Sequence, residues 1–245
     1  DFKRPEGCPV IASMPTPIVR EKMAENIAWM IEKETKDGWS KVKVHPPAFA
    51  VNAIANRGWW PGIRFLDSVV ESPVFRPDGT ILCEPGYDEA TSLYYEPTCD
   101  FPEIPDNPTL DDAKAAAEFL FEAVCDFPFE EPCYRSAWLA SVLTPFARPA
   151  YGGPTPLFLV EANQPGSGKG LLCNVISQIV AGRQFTVTPY SQDDEEMRKK
   201  ITAAAISADR MILLDNVSGS IGGPSLDAAL TSDTWSDRVL GKSER

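Results

Sequence analysis

The stretch Pro156-Leu-Phe-Leu-Val160-Glu-Ala-Asn163-Gln164-Pro165-Gly166-Ser167-Gly168-Lys169-Gly170-Leu171-Leu172 decides how this chain is read. Its first five residues form a short continuous apolar run of the kind found in a central parallel strand. A glycine loop follows, and then a helix whose Leu172, Val175, Ile176 and Ile179 line one face before Gly182 stops it. A polyphosphate needs several backbone N–H groups converging on it, and therefore a loop with no side chains in the way. Gly166 and Gly168 permit that close approach, the helix adds the partial positive charge of its N-terminus, and Lys169 can reach the β and γ phosphates. Asn163, Pro165, Gly166, Ser167, Gly168, Lys169, Gly170 and Leu171 are thus the candidate residues for binding a nucleoside triphosphate, ATP, in a P-loop or Walker A element.

Downstream, Met211-Ile-Leu-Leu-Asp215 has the form of the strand that carries a Walker B acid. Asp215 would hold Mg2+, usually through water. Two residues depart from the usual pattern G-x-x-x-x-G-K-[ST]. Asn163 replaces the first glycine, which is tolerable because Asn also accepts left-handed backbone angles. Gly170 replaces the hydroxyl residue that normally ligands magnesium. Asn216 also follows Asp215 where many such ATPases carry a glutamate, and an amide can orient a water but cannot take its proton. The motif argues for triphosphate binding and leaves magnesium handling and hydrolysis open.

Around these elements proline is the main punctuation. A helix is expected from Pro17, with Thr16 as its N-cap. It would run through Ile18, Val19, Met23, Ile27, Met30 and Ile31 to a stop at Gly38. A shorter one is expected from Pro47 to Arg57 with Phe49, Ala50 and Ile54 inward. Short strands should follow at 63–70, 73–76, 80–83 and 93–95, with turns at Pro77-Asp78-Gly79 and Pro85-Gly86-Tyr87-Asp88. The proline-rich stretch 101–108 reads as a linker. Thr109 with Asp112 opens a helix to Val124, and another spans Pro132 to Phe146 with Trp138, Leu139, Val142 and Leu143 on one face. After the glycine loop and its helix come a strand from Phe185 to Thr188, a helix from Gln192 to Ser207 and the strand ending at Asp215. The expected architecture is an α/β chain: a small α+β domain over 1–105, then a P-loop NTPase core over 106–245. That core would be three-layered on a parallel sheet and incomplete at its C-terminal end.

Composition narrows the class. The 245 residues carry a net charge of −12, which disfavours whole-surface attraction to nucleic acid but not a local basic channel. An apolar fraction of 43% fits a globular protein, and no apolar run is long enough to span a bilayer, so no membrane association is expected. Six cysteines without C-x-x-C spacing and a lone histidine, His45, argue against structural zinc. Buried, reduced thiols in a cytoplasmic protein are expected instead.

Three further groups invite two readings each. Asp194/Arg198, Glu195/Lys199 and Glu196/Lys200 are acid-to-base pairs at i,i+4 behind a capping-box-like Ser191 and Asp194, which suits a solvated, self-paired helix. Their cations could instead meet DNA or a neighbouring subunit. Arg57-Gly58-Trp59-Trp60-Pro61-Gly62-Ile63-Arg64 offers stacking on single-stranded bases, against the plainer reading of two buried indoles. Arg238 is a candidate arginine finger, against an ordinary surface arginine.

With these elements read, the second half resembles the AAA+-like ATPases of phage, plasmid and other mobile-element replication proteins, often joined to a primase. The resemblance rests on Pro165-Gly-Ser-Gly-Lys-Gly-Leu-Leu172, Leu213-Leu-Asp-Asn-Val217, and Leu230-Thr-Ser followed by Trp235-Ser-Asp-Arg-Val-Leu-Gly241. Arg76-Pro-Asp-Gly-Thr-Ile-Leu82 and Pro85-Gly-Tyr-Asp88 look like the small domain that precedes such cores. In that group a glycine after the P-loop lysine is familiar. The resemblance implies a superfamily-3-like helicase role in DNA replication, with a homo-oligomeric ring that hydrolyses ATP and pulls on single-stranded DNA. Lys169, Asp215, Asn216 and Arg238 would then be the catalytic set. The rival readings are a nucleotide-binding switch or assembly module without hydrolysis, and a small-molecule kinase. The chain starts at Asp1 and stops soon after the Asp215 strand, which reads as an internal piece of a longer polypeptide that would bind nucleotide weakly by itself.

Overall fold

The computed structural model describes residue 9 and residues 11–35, 38–184 and 186–237. The chain divides into two compact units, Ala12–Phe65 and a larger one that runs on from Leu66.

In the smaller unit α1 (Thr16–Asn26) is followed by the strands β1 (Met30–Thr35) and β2 (Gly38–Lys43) and by α2 (Ala48–Ala55). The helix expected to reach Gly38 ends at Asn26, where Ile27 turns to extended backbone with φ −132°. Residues 30–43 instead pair as an antiparallel hairpin with Ile31 opposite Val42 and Glu32 opposite Lys41. An apolar pair and an opposite-charge pair facing each other across strands outweigh a helical spacing that is only partly kept. Pro15 takes the N-cap place expected of Thr16. Val19, Met23 and Val51 form the core, with Trp29, Ala50, Ile54 and Ala55 packed on it. Phe49, expected inward, is exposed, because Val51 occupies the inner face of α2.

The larger unit starts with short strands. β3 (Ser68–Val70) lies parallel to β7 (Leu93–Tyr95), and β6 (Gly86–Asp88) pairs antiparallel with β7. The stretch 85–88, expected to be a turn, is thus mostly strand. β4 (Val74–Phe75) and β5 (Ile81–Leu82) form a hairpin closed by the expected Pro77-Asp78-Gly79 turn. There Gly79 takes φ +84° and Asp78 accepts a hydrogen bond from the Thr80 amide at 2.9 Å. Val70, Val74, Leu82, Leu93 and Tyr95 fill this layer's core.

Residues 101–108 are exposed and lack regular structure, as a linker would be. α3 (Leu110–Glu122) then opens with the anticipated capping box: the Asp112 amide donates to Thr109 Oγ1 at 3.2 Å, and the Thr109 amide donates to Asp112 Oδ2 at 2.8 Å. α4 (Pro132–Ala147) and α5 (Lys169–Ala181) pack through Trp138, Val142, Leu172, Ile176 and Val180, with Val124 from just beyond α3 in the same core. Leu143, expected on the inner face of α4, is exposed.

The expected division at 105/106 does not coincide with the boundary of the compact units. The strands after Leu66 are joined to the far end of α5: Arg183 pairs with Glu71 at 2.7 Å, and a Cβ on Gly182 would lie 3.0 Å from Thr98 Oγ1. Beyond α5, β8 (Val187–Pro189), α6 (Asp194–Ile206), β9 (Leu213–Asp215) and α7 (Pro224–Thr231) complete the described chain. β8 and β9 run parallel, with Val187 opposite Leu213 and Pro189 opposite Asp215. This strand, helix, parallel-strand order follows the expected alternation; Phe185, expected to start β8, lies outside the described residues. Pro156–Val160 does not form the expected buried strand. Among the described residues it has no strand partner, and Leu157, Phe158 and Leu159 are exposed. An apolar run becomes a central strand only where neighbouring backbone pairs with it.

Candidate nucleotide site

The N-cap of α5 is Gly168, which takes φ +89° and carries no side chain to cap the helix. The Leu172 amide closes the first helical turn onto the Gly168 carbonyl at 2.9 Å. The amides of Lys169, Gly170 and Leu171 belong to the first turn, where an α-helix supplies them with no partner of its own. Gly166 also has a left-handed backbone, at φ +75°, and a Cβ there would meet nothing within 4 Å. Gly168 is more confined: a Cβ on it would lie 3.3 Å from Phe127 Cε1. The two glycines thus do different work. One curves an exposed loop, and the other lets that loop sit against an aromatic ring from the α3–α4 connection. Sequence spacing gave no sign of Phe127.

Asn163, Gln164, Pro165 and Ser167 lie on the exposed outer part of the loop. Lys169 reaches back across it, and its Nζ donates to the Gln164 carbonyl at 3.3 Å. That contact is long and replaceable, and it holds the ammonium at the loop rather than extended into solvent. Gly170 faces open space, so the Ser or Thr hydroxyl of the common motif would fit there.

Asp215 ends β9, and its carbonyl accepts from the Tyr190 amide at 2.9 Å. Its carboxylate lies within electrostatic reach of α5. The Cys173 thiol is pushed up first by burial and then by the negative charge of Asp215. The acid at the end of β9 therefore acts electrostatically on a residue of the helix that the glycine loop opens. Asn216 follows with φ +57°, the left-handed conformation that Asn accepts better than most residues. The segment beyond it is tied back to the end of β8. Tyr190 Oη donates to the Gly222 carbonyl at 2.9 Å, and Gln192 Nε2 donates to the Ser218 carbonyl at 2.6 Å. Arg238 lies outside the described residues.

Asp215, at the end of β9, is the candidate carboxylate for magnesium. No cluster of three His, Cys, Asp or Glu side chains occurs among the described residues. Mg2+ commonly takes one or two carboxylates and completes its shell with water and phosphate oxygens, and a single Asp215 meets that need.

The cations of α6 are mostly engaged within the chain. Of the three expected i,i+4 pairs, Lys199 with Glu195 forms, at 3.2 Å. Arg198 turns to Asp237 at 3.1 Å, and Lys200 donates to the Pro189 carbonyl at 2.7 Å. Asp193 is the N-cap, accepting from the Glu196 amide, while Asp194 caps α7 by accepting from Ser225 N and Oγ, both at 2.8 Å. Tertiary partners prevail over local pairing worth only about 0.3–0.5 kcal/mol.

The cysteines also differ from expectation. Cys83, Cys99, Cys125 and Cys133 are exposed free thiols, and among the described cysteines only Cys173 is partly buried. Cys8 lies outside the described residues. No described helix is long and apolar enough to cross a membrane.

Comparison with known proteins gives no match: no family model fits the chain, and no curated protein or solved structure matches it.

Proposed function

We propose that this chain binds ATP with Mg2+ through the loop Asn163–Gly170 and serves as the motor part of a DNA replication protein, of helicase type. The observation that carries the reading is the uncapped start of α5, with Gly166 and Gly168 both left-handed and Lys169 held over the loop. Phosphate oxygens would accept from the first-turn amides, Lys169 would neutralise charge on the terminal phosphates, and Asp215 would hold the metal's water shell. The step to a DNA motor, working as a homo-oligomeric ring on single-stranded DNA with Arg238 acting on a neighbour's nucleotide, rests on the resemblance described above.

A second reading has its own support. Gly170 brings no hydroxyl to the metal, and Asn216 cannot accept a proton from water. Those residues favour a nucleotide-dependent switch or assembly module without turnover. Phosphate release by the protein at its native length, with and without single-stranded DNA, separates the two. The motor reading expects release that DNA stimulates and that Lys169→Ala or Asp215→Ala abolishes. ATP-driven oligomers with background release would favour the switch and overturn the motor.

A further inference from the structure

The smaller unit differs in charge from the rest of the chain. Residues 12–65 hold eight lysines and arginines against five acids, a net of +3 in a chain of −12. They also expose an unusual share of large apolar side chains. Trp39, Phe49, Trp59 and Phe65 are each at least 70% exposed. Single exposed hydrophobes are ordinary, but aromatic faces interleaved with cations are the surface that unstacked bases and phosphates need.

The clearest instance is the loop that follows α2. Trp59 and Trp60 are adjacent but behave oppositely. Trp60 is partly buried, and its indole N–H donates to the Ile54 carbonyl at 2.9 Å, fixing the loop to the end of α2. The chain then reverses in a turn closed by the Ile63 amide on the Trp60 carbonyl at 3.2 Å. Pro61 and Gly62 occupy its central positions, and Gly62 takes φ +81°, which glycine accepts without strain. This anchored turn leaves Trp59 70% exposed, with Arg57 exposed just before it in sequence. Burial of both indoles, the plainer expectation from sequence, holds for Trp60 alone. The hairpin repeats the chemistry: Trp39, Lys41 and Lys43 alternate onto one face of β2, and every residue of that strand is exposed.

We infer that the loop Arg57–Phe65 is a binding site for single-stranded nucleic acid, with Trp59 stacking on a base and Arg57 meeting a flanking phosphate. A pre-set turn costs little ordering on binding, and stacking on an exposed ring tolerates any base. The inference deepens the motor reading by giving the strand a grip outside the nucleotide loop, and it needs no nucleotide to operate.

Anisotropy of labelled oligo-dT and oligo-rU, titrated with the whole chain at low salt without ATP, tests it. The expected result is binding to at least one of the two strands that weakens as salt rises. Trp59→Ala should reduce the affinity about tenfold or more, and Arg57→Glu should reduce it as well. Trp59 is largely exposed, so Trp59→Ala should melt as wild type does, which separates lost binding from lost fold. Lys169→Ala should leave oligonucleotide binding unchanged, so a failed ATP assay with intact, Trp59-dependent binding would sink the motor and keep the grip. Wild-type affinity in both Trp59→Ala and Arg57→Glu would overturn the inference. So would equal affinity for duplex DNA, or Trp59-dependent binding to anionic phosphatidylserine vesicles in place of either oligonucleotide.

Discussion

Glu71 Oε2 lies 2.7 Å from the Arg183 guanidinium, joining the β3–β7 layer to the end of α5. Around this pair, Glu71, Arg183 and Arg210 line a cavity of about 60 Å3 with Ser177 and Met211. Burial pulls the Arg210 guanidinium down to about 10, against the opposing charge of Glu71, so it stays cationic at neutral pH. It donates to the Pro145 carbonyl at 2.5 Å, inside α4. The pair and its neighbour thus tie three parts of the larger unit together. The junction is imperfect: Glu71 Oε1 and Arg183 Nε are buried without a partner among the described residues.

Removing Glu71 leaves two guanidinium groups facing a lost counter-charge. Glu71→Ala should cost about 3 kcal/mol, the low end for a broken buried pair because Arg183 keeps some solvent contact. Chemical denaturation would measure it. A loss within experimental error would show that the contact adds nothing to the joint.

Asp88 sets a pH dependence. Burial raises its carboxyl, but hydrogen bonds from Arg76 and Thr91 and the charge of Arg76 outweigh this, so its pKa lies below the ordinary 3.8. A carboxylate depressed on folding contributes stability that is present above the unfolded value and fades as pH falls through the folded one. Asp88→Asn should therefore lower Tm at neutral pH, by an amount equivalent to about 1–2 kcal/mol, and the deficit should shrink in acid. Thermal melts across that range decide it. A deficit that stays constant down to strong acid would contradict the assignment.

Gly168 and Gly170 should respond differently. Gly168→Ala forces a Cβ into a left-handed backbone, 3.3 Å from Phe127, and should lose about 1–2 kcal/mol along with nucleotide binding. Gly170→Ser enters open space and should leave Tm unchanged while tightening Mg2+-dependent nucleotide binding. Calorimetry of both variants checks the contrast, and equal behaviour would remove the distinction.

Asp194 caps a helix other than its own. Asp194→Ala should cost about 1 kcal/mol by freeing the Ser225 amide at the start of α7. Hydrogen exchange localised to 224–231 would report it. Fraying confined to α6 would contradict the role.

Local chemistry was legible where the signal is short-range. The Thr109/Asp112 capping box, the Asp78-Gly79 turn, and the loop and stop of α5 all follow from residue types at fixed spacing. Longer-range pairing was not. The β1–β2 hairpin shares its apolar spacing with a helix until cross-strand partners are known, and Asp194 points to Ser225 rather than to Arg198 because α7 lies beside it. The exposed run Leu157–Leu159 shows the same limit, since hydrophobicity alone does not say whether a neighbouring strand is at hand. At the candidate site, Gly166, Gly168, Lys169 and Asp215 were named by their sequence pattern, whereas Phe127 beneath Gly168 needed the tertiary contact.

ATP binding at the glycine loop can be measured by titrating ATP with Mg2+ into the protein, beside Lys169→Ala. The wild type should show saturable, magnesium-dependent binding that Lys169→Ala abolishes or weakens at least tenfold. Absence of binding by the wild type, or equal binding by the variant, would contradict it.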